Sequence, residues 1–479
     1  MQYDTLFTMD VNGEPQPWLV SDYQVSEDNL TYTLDLREDV KWHDGTDFTA
    51  EDVKFTFEYF TENTHGRFSK DIGGFESAEV TGDYQVVITL SAVKPTYIVT
   101  AFADVPVLPK HIWEDIADPA ERDWEIDANI GTGPYNMVEY VPDQFYRFEA
   151  NVDYFAGKPT VGELVVVKLA DTAGALSAFR TNEVDIVFPT VPPEQIELLG
   201  AVEGVKIAQG PQFSTQMVNF DTQRPPFDQL AVRKAIALAL DRDDMVETVY
   251  LGAATPGSIG WIHPGQTVFN DSVVTEYNPD EAKRLLDEAG IVDTDGDGVR
   301  EFDGAPMSFE LVTPSANALR LRLAELAKQM LLEVGIEVEV ASVEQTTWED
   351  AVWPEFDVAK GRNYEMAMWG WSAPTLAEPS KVTWLIHSDP ASGFLNLTGF
   401  ASEEADRLSD ALNASADPEE RAQLIKDIQV VIADEIPFVM LMYPDGIYAY
   451  WATVYDNYAF IAGDGIVNKL SFLPEAARP

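Results

Sequence analysis

The spacing between hydrophobic residues changes along the chain. In the first part, hydrophobic and polar residues mostly alternate, which is the pattern of β-strands. Near the N-terminus, "LTYTLDLREDVKWHDG" alternates apolar and polar residues, which is typical of a half-buried strand ending at a turn. The next segment, "TAEDVKFTFEYF", has helical spacing, and the Thr49 side chain can accept hydrogen bonds from its first backbone amides. "EVTGDYQVVITLS" predicts a hairpin around Gly82-Asp83, and "IGTGPYNMVEYVPDQFYRFEAN" predicts another turn followed by a strand, so this region is rich in strands.

From about residue 161 the pattern alternates between strands and helices. "GELVVVKLA" predicts a strand, and "TAGALSAFRTNEVDIVF" predicts a helix followed by a strand. "DQLAVRKAIALALDRDDMVETVYLG" predicts one long amphipathic helical region. Such alternation is typical of an α/β sheet covered by helices on both faces.

After Pro256 the alternation begins again. "NPDEAKRLLDEAG" predicts a helix that Asn278 caps, with Pro279 in its first position and Gly290 just past its end. "MSFELVTP", "IEVEVASV" and "YEMAMWGW" predict strands, and helices are expected at 316–334, 402–414 and 417–435, before a last strand at "FVMLMYP". The simplest architecture is two α/β lobes, with the last segments returning to the first lobe.

The net charge of the chain excludes nucleic acid as a partner and bears on the salinity of the protein's environment. Of 479 residues, 82 are Asp or Glu and 31 are Lys or Arg, which gives a formal net charge of −51. Nucleic acid is excluded because its phosphates would be repelled. Self-repulsion of this size destabilises a compact protein at low salt and is screened at molar salt. An ordinary acidic protein is one interpretation, and the charge excess favours the other, a protein from a very salty environment.

Several structural classes are also excluded. The chain has no cysteine, so it has neither disulfides nor thiolate metal sites. No apolar run has the length of a transmembrane helix. The N-terminal segment "MQYDTLFTMDVNGEP" lacks the basic end and apolar stretch of a secretory signal, which fits a cytoplasmic or an already processed protein.

An acidic loop, "DTDGDGVREFDG" at 293–304, resembles a calcium-binding loop in part. Its ligand candidates are Asp293, Asp295, Asp297, the carbonyl of Val299, and Glu301. Gly304 takes the twelfth position, where an EF-hand has a bidentate glutamate, and the next segment is a predicted strand rather than a helix. A calcium sensor is therefore not expected. A weak structural Ca²⁺ site and a solvated acidic turn both remain open, and no cofactor is required.

Signatures of catalysis are sparse, whereas tryptophans gather in one stretch. The sequence has no H-E-x-x-H, G-x-S-x-G or P-loop pattern, and its five histidines are scattered. "MWGWSAPTLAEPSKVTW" places Trp369 and Trp371 where a predicted strand runs into a proline-rich loop. Strand ends of this kind bind ligands in open α/β sheets, although core packing explains a tryptophan equally well.

Several segments together resemble the family 5 extracellular solute-binding proteins of ABC importers. They are "PWLVSDYQVSEDNLTYTLDLREDVKWHDGTDFTAEDVKFTFE", "IGTGPY", "FDQLAVRKAIALALDRDDMVETVYLGAA", "YNPDEAKRLLDEAG" and "YEMAMWGW". They cover nearly the whole chain in order, and the first is highly specific.

The resemblance implies an α/β, two-lobed type II periplasmic-binding-protein fold with an additional N-terminal subdomain and a hinge between the lobes. We place lobe I at 1–254 with the subdomain at about 18–130, lobe II at 255–445, and the return to lobe I at 446–479.

The resemblance also implies a binding protein that is not an enzyme. It would hand a small solute or peptide to a membrane permease of an ABC importer. We expect a monomer, extracellular and attached to the outer face of the cytoplasmic membrane. Because relatives carry a signal before the counterpart of "YDTLFT", we expect the signal and anchor to be missing from this sequence.

The same resemblance places the ligand between the lobes. Our aromatic candidates for its wall are Trp369, Trp371 and Trp261, and our polar candidates are Asn219 and Glu378. Peptide-binding relatives hold the peptide amino terminus with an aspartate shortly after the "WGW"-like segment, where this chain has Ala373, Pro374 and Thr375. We therefore expect a neutral ligand, such as a short oligosaccharide, ahead of a peptide. A hydrolase acting on a sugar or peptide, and a chaperone-like peptide binder, are the alternatives.

Overall fold

A computed structural model describes the chain except for residues 64–67, 117–128, 189, 259, 274–275 and 373–377. The described chain divides into two compact units. Unit 1 comprises 1–191, 196–208 and 447–479, and unit 2 comprises 192–195 and 209–446. None of the helices described is long and apolar enough to cross a membrane.

The helices and strands follow one another in the alternating order predicted. In chain order, the α-helices are α1 (Ala50–Glu62), α2 (Phe68–Asp71), α3 (Lys110–Trp113), α4 (Thr172–Arg180), α5 (Ile196–Gly200), α6 (Leu230–Ala239), α7 (Arg242–Val249), α8 (Pro279–Glu288), α9 (Ala318–Glu333), α10 (Gln345–Val352), α11 (Thr383–Ile386), α12 (Glu403–Ala414), α13 (Pro418–Glu435) and α14 (Lys469–Phe472). The strands are β1 (Phe7–Met9), β2 (Pro15–Pro17), β3 (Val20–Val25), β4 (Thr31–Leu36), β5 (Phe75–Gly82), β6 (Gln85–Leu90), β7 (Tyr135–Val141), β8 (Phe145–Ala150), β9 (Glu163–Val167), β10 (Val205–Pro211), β11 (Gln216–Phe220), β12 (Ala254–Pro256), β13 (Glu301–Phe302), β14 (Ala305–Pro306), β15 (Ser308–Pro314), β16 (Glu337–Val343), β17 (Met366–Trp369) and β18 (Phe438–Trp451).

Unit 1 contains two small antiparallel sheets beside the β1–β2 pair. One sheet has the order β3-β4-β6-β5 and the other has the order β7-β8-β9. The first sheet and α1 share a hydrophobic core that includes Leu34, Phe57 and Ile88. The start of α1 follows from the sequence, because Thr49 and Asp52 form a capping box at its N-terminus.

The seven-stranded sheet has the order β10-β18-β11-β17-β15-β16, with β12 paired to β18. β15 runs parallel to both β16 and β17, whereas β11 runs antiparallel to β17 and β18. Helices α6 to α9 contribute to the core on one face of this sheet, and residues of α10 to α13 contribute to cores on the other face. The sheet is therefore covered on both faces, as the alternation of elements predicts.

The chain passes into unit 2 at 208/209, whereas the sequence analysis placed the crossing near 254. The reason lies in α6 and α7, whose residues Ile236 and Met245 belong to the same core as Leu311 of β15 and Leu323 of α9. The chain returns to unit 1 at 446/447.

Two local predictions were wrong. The long helical region is broken at Leu240, which is extended, and Asp241 starts α7 by accepting a hydrogen bond from the backbone amide of Asp244 at 3.0 Å. The segment "VDIVF" at 184–188 is an isolated bridge rather than a regular strand, centred on Ile186 opposite Tyr450. It lies along β18, since the backbone amide of Val187 donates to Ala449 at 3.0 Å and that of Trp451 donates to Asp185 at 2.9 Å.

Candidate functional site

The carboxyl ends of β15, β16 and β17 meet at one edge of the sheet in unit 2. The chain leaves β15 through α9, whose residues pack on one face, and leaves β16 through α10, whose residues pack on the other face. Because β16 and β17 lie on opposite sides of β15, the order of the strands reverses at this edge. Such a topological switch point is where open α/β sheets bind ligands.

Five tryptophans, Trp261, Trp348, Trp353, Trp369 and Trp371, form a continuous aromatic group beside this edge, which we name the tryptophan cluster. The ring of Trp371 lies 6.2 Å from Trp261, 6.3 Å from Trp353 and 6.3 Å from Trp369. Trp348 of α10 lies 5.1 Å from Trp369, edge to face. The structure thus brings together all three tryptophans that the sequence analysis selected, and adds two.

The tryptophan cluster contains buried hydrogen-bond donors for which the described part of the chain supplies no acceptor. All five indole nitrogens are buried, and among the described residues none has a hydrogen-bond partner. A buried polar group without a partner costs about 1–3 kcal/mol, so five such groups side by side are unusual for a packed core. Trp261 and Trp369 are nevertheless largely buried, at 0% and 4% exposed, and therefore also contribute to packing.

His263 and Tyr443 extend the aromatic group beyond Trp261. The ring of His263 lies 5.0 Å from Tyr443 and 5.3 Å from Phe213. Its Nδ1 accepts a hydrogen bond from the backbone amide of Gly265 at 2.9 Å, which places the proton of the neutral ring on Nε2. Nε2 is buried without a partner among the described residues, and burial lowers the pKa of His263. His263 is therefore a further neutral donor.

The two polar residues that the sequence analysis selected, Asn219 and Glu378, have surroundings that differ from those of the tryptophan cluster. Asn219 lies inside the sheet, paired with Ala367 on β17 and Phe438 on β18, and its Nδ2 is buried without a described partner. Glu378 caps the 3-10 helix Pro379–Val382, accepting a hydrogen bond from the backbone amide of Ser380 at 3.0 Å. No hydrogen bond or ring contact joins either residue to the tryptophans in the described part of the chain. Ala373, Pro374 and Thr375 lie outside the described residues.

Arg320 is a residue of this edge that the sequence analysis missed. It lies in the first turn of α9, directly after β15. Its Nε donates a hydrogen bond to Oε1 of Gln216 at 2.8 Å, and burial lowers its pKa. A helix that follows a parallel strand begins at the carboxyl edge of the sheet, and this rule would have placed Arg320 and Trp348 there.

The acidic loop at 293–304 precedes β15 and therefore lies at the other end of that strand, with four of its carboxylates close together. Carboxylate oxygens of Asp293, Asp295, Asp297 and Glu301 lie within 4.8 Å of one another. Asp293 accepts hydrogen bonds from the backbone amides of Gly296 and Gly298, which lower its pKa. The backbone amide of Val299 donates to Asp297 at 2.8 Å. The loop leads into the β13–β14 hairpin, so it is not part of a helix-loop-helix.

Comparisons with known proteins agree on one family. The family profile described as bacterial extracellular solute-binding proteins, family 5 Middle, matches residues 14–393. The oligopeptide-binding protein AppA of Bacillus subtilis is 29% identical over 424 residues, which are 87% of this chain and 76% of that protein. A peptide-binding protein of an ABC transporter from Brucella ovis is 30% identical over 340 residues, which are 70% of this chain and 62% of that protein.

Solved structures show the same fold. The structure of AppA from Bacillus subtilis in complex with a nonapeptide has a TM-score of 0.80 and 25% identity, and the match covers 99% of this chain and 93% of that one. A periplasmic oligopeptide-binding protein from Thermotoga maritima has a TM-score of 0.85 at 21% identity, covering 99% and 92% of the two chains. These likenesses confirm the α/β, two-lobed type II fold that the motifs predict.

Proposed function

The chain belongs to the bacterial extracellular solute-binding proteins of family 5, and from this premise we propose that it is the receptor of an ABC importer. It captures a small solute outside the cytoplasm and delivers it to the permease in the membrane. Relatives are named oligopeptide-, dipeptide- and heme-binding proteins, so the family accommodates solutes of different chemistry.

The tryptophan cluster is the observation that carries the proposal. It combines apolar aromatic area with several neutral donors at the carboxyl edge of a sheet, a combination that suits a solute with apolar faces and acceptor oxygens. Short peptides and oligosaccharides both have these features. Trp369 and Trp371 supply the centre of this wall, with Trp261 behind them.

A hydrolase in the same place is the alternative from another class. None of the four described histidines, at 43, 111, 263 and 387, hydrogen-bonds a serine or threonine hydroxyl. The acidic cluster at 293–301 lies at the opposite end of β15 from the tryptophans. The described residues therefore provide no histidine–hydroxyl pair, and their one acidic metal-like group is not beside the tryptophan cluster, which favours binding without turnover.

The receptor would act outside the cell as a monomer, attached to the outer face of the cytoplasmic membrane. The family is extracellular by description, and the acidic surface, with its −51 formal charge, suits a saline medium rather than a nucleic acid partner. A chaperone-like binder of unfolded chains would have the same location. It differs in binding many sequences loosely, whereas a receptor binds a defined solute at one site.

The test begins with the protein purified from its natural host in high salt. The protein is unfolded, released solutes are identified by mass spectrometry, and the stripped protein is titrated with them by calorimetry. One solute bound with one-to-one stoichiometry, unchanged after long incubation, is the expected result. Cells lacking the gene should then lose uptake of that solute. Conversion of the solute would support the hydrolase, and unchanged uptake in the deletion strain would contradict the receptor.

A further inference from the structure

An exposed phenylalanine, Phe356, continues the row of tryptophan rings towards solvent. Its ring lies 5.2 Å from that of Trp353, edge to face, and Trp353 lies 6.3 Å from Trp371. Burial decreases along this row, since Trp369 is 4% exposed, Trp371 and Trp353 are partly buried, and Phe356 is 62% exposed. The aromatic surface that begins in the tryptophan cluster therefore reaches solvent at Phe356.

The backbone that carries Phe356 has an unfavourable conformation. Glu355 and Phe356 are consecutive residues in the left-handed region, with φ of 52° and 57°. Residues other than glycine rarely adopt this region, and those that do are concentrated at functional sites, where the surrounding structure holds them in place. A single exposed apolar side chain is ordinary on a protein surface. Two adjacent strained residues are not ordinary, so the position of this ring calls for an explanation.

Local interactions hold the turn that carries Phe356. Its backbone amide donates to the carbonyl of Trp353 at 3.0 Å, and the side chain of Lys360 pairs with that of Glu355. Asp357 caps the short 3-10 helix that follows. Because these interactions fix the turn, less conformational entropy is lost when a solute packs against the exposed ring.

We propose that Phe356 forms an outer subsite for the far end of a linear, oligomeric solute whose first units lie on Trp369 and Trp371. This inference rests on the proposed receptor function and specifies its substrate class. The oligomer can be a peptide or an oligosaccharide, because amino-acid side chains and sugar rings both present apolar faces to an aromatic ring.

The distances between the rings set the length of such a solute. Each residue of an extended peptide spans about 3.3–3.6 Å. The ring-to-ring steps of 6.3 Å and 5.2 Å from Trp371 to Phe356 therefore correspond to at most about three residues. A solute of two units stays on the tryptophans, whereas a longer one also covers Phe356.

Two series of probes separate the two kinds of oligomer. They are alanine peptides of two to six residues and maltooligosaccharides of two to six units, each titrated by calorimetry into the stripped protein at one fixed, multimolar KCl concentration. The variants are Phe356→Ala, which removes the ring, Phe356→Gly, which also permits the left-handed backbone, and Phe356→Trp, which keeps an aromatic ring. Leu332→Ala, a change at an exposed position of α9 in the same unit, is the matched control. Thermal midpoints verify that each variant is folded.

In at least one series the wild type should bind the longer probes about 2- to 13-fold more tightly than the shortest one, as one further aromatic contact worth about 0.5–1.5 kcal/mol implies. Phe356→Ala and Phe356→Gly should lose this increase and still bind the shortest probe as the wild type does. Phe356→Trp and Leu332→Ala should keep the increase. The thermal midpoint of Phe356→Gly should exceed that of Phe356→Ala, because glycine adopts a positive φ without steric cost.

Several results would overturn the proposal. They are an affinity that does not depend on probe length, equal losses for short and long probes in a folded Phe356→Ala variant, binding of neither series, and a Phe356→Gly variant no more stable than Phe356→Ala. Unchanged affinities in Phe356→Ala with reduced uptake by cells would also do so, since that result would assign Phe356 to the contact with the permease. A solute too short to reach Phe356, bound one to one without turnover, would contradict the oligomer and leave the receptor function intact.

Discussion

The indole ring of Trp369 lies 5.1 Å from that of Trp348, edge to face, and neither indole nitrogen has a hydrogen-bond acceptor among the described residues. Trp369 ends β17 and Trp348 belongs to α10, the helix that precedes this strand. The contact therefore joins the sheet edge to the helix on its second face. An edge-to-face pair of this kind adds about 0.5–1.5 kcal/mol to the burial of the rings, so it helps to fix their positions.

Replacing Trp369 by phenylalanine tests how much of the solute affinity comes from the indole N–H and how much from the aromatic ring. Trp369→Phe keeps an aromatic side chain at the end of β17 but removes the indole N–H. We expect solute affinity to fall by about 2- to 13-fold, as the loss of one neutral hydrogen bond worth about 0.5–1.5 kcal/mol implies, with little change in the heat capacity of binding. Calorimetry measures both quantities. Trp113→Phe, a change in unit 1, is the matched control, and equal losses in the two variants would contradict a binding role for Trp369.

The sequence analysis identified only some members of the tryptophan cluster. Trp369 and Trp371 were identifiable because they follow an apolar strand, where the chain leaves the sheet. Trp348 and Arg320 lie in helices far away in sequence, and their place depends on which strands become neighbours in the fold. Asn219 was selected from the right strand, but its register opposite Ala367 places it inside the sheet.

The helices with polar caps were the most predictable elements of the fold. Asn278 accepts a hydrogen bond from the backbone amide of Glu281, and Pro279 takes the first position of α8, as predicted. These signals act within one turn of helix, so they can be read locally. The boundary between the units and the missing strand at 184–188 depend on long-range packing, which a local pattern does not contain.

The stability of the protein should rise with salt. A net charge of −51 repels itself, and the Debye length falls from about 10 Å at 0.1 M salt to about 3 Å at 1 M. We expect the thermal midpoint to increase steeply up to about 1 M KCl and more slowly above it. Sucrose at matched osmolality is the control for excluded-solute effects, and a midpoint that does not change with KCl would contradict adaptation to salt.

Calcium should stabilise the loop at 293–304 if the acidic turn is a metal site. The carboxylates of Asp293, Asp295 and Asp297 would bind the ion with Glu301 and the carbonyl of Val299, through six to eight oxygens at about 2.3–2.6 Å. Millimolar Ca²⁺ should then raise the thermal midpoint in constant KCl. The double variant Asp295→Asn, Asp297→Asn should abolish this rise, whereas Asp303→Asn should keep it. An equal rise with Mg²⁺, or in the double variant, would indicate a solvated turn.

Acid should destabilise the protein through His43. Its Nε2 donates to the carbonyl of Gly133 at 2.9 Å, and its Nδ1 accepts from the backbone amide of Gly131 at 3.3 Å. The neutral ring therefore satisfies both neighbours, and desolvation lowers its pKa in the folded protein. Because this pKa lies below that of the unfolded chain, the stabilisation is complete above about pH 6.5 and is lost as the pH falls towards the folded-state pKa.

The His43→Gln variant measures this contribution. Glutamine keeps a donor and an acceptor but does not titrate in this range. Between pH 7.5 and 5.5 the free energy of unfolding of the wild type should fall more steeply than that of the variant, by at most about 1.4 kcal/mol per pH unit for one proton. Denaturant titrations in constant salt give both curves. Parallel curves would mean that His43 is not the group responsible.

The receptor should not select peptides by their amino terminus. A buried ammonium without a carboxylate partner loses several kcal/mol of hydration, so its capture requires an acid beside the tryptophan cluster. Glu378, the acid nearest in sequence, already caps the 3-10 helix Pro379–Val382 and accepts from Ser380. We therefore expect the Kd values of a peptide and its N-acetylated form to differ by no more than about threefold. Loss of an interaction worth about 1.4 kcal/mol would change the Kd tenfold. The measurement is calorimetry in high salt with di- to pentapeptides, each with and without the acetyl group. Micromolar binding of free peptides that is lost on acetylation would show that an acid holds the amino terminus, and loss of that binding in Glu378→Gln would identify it.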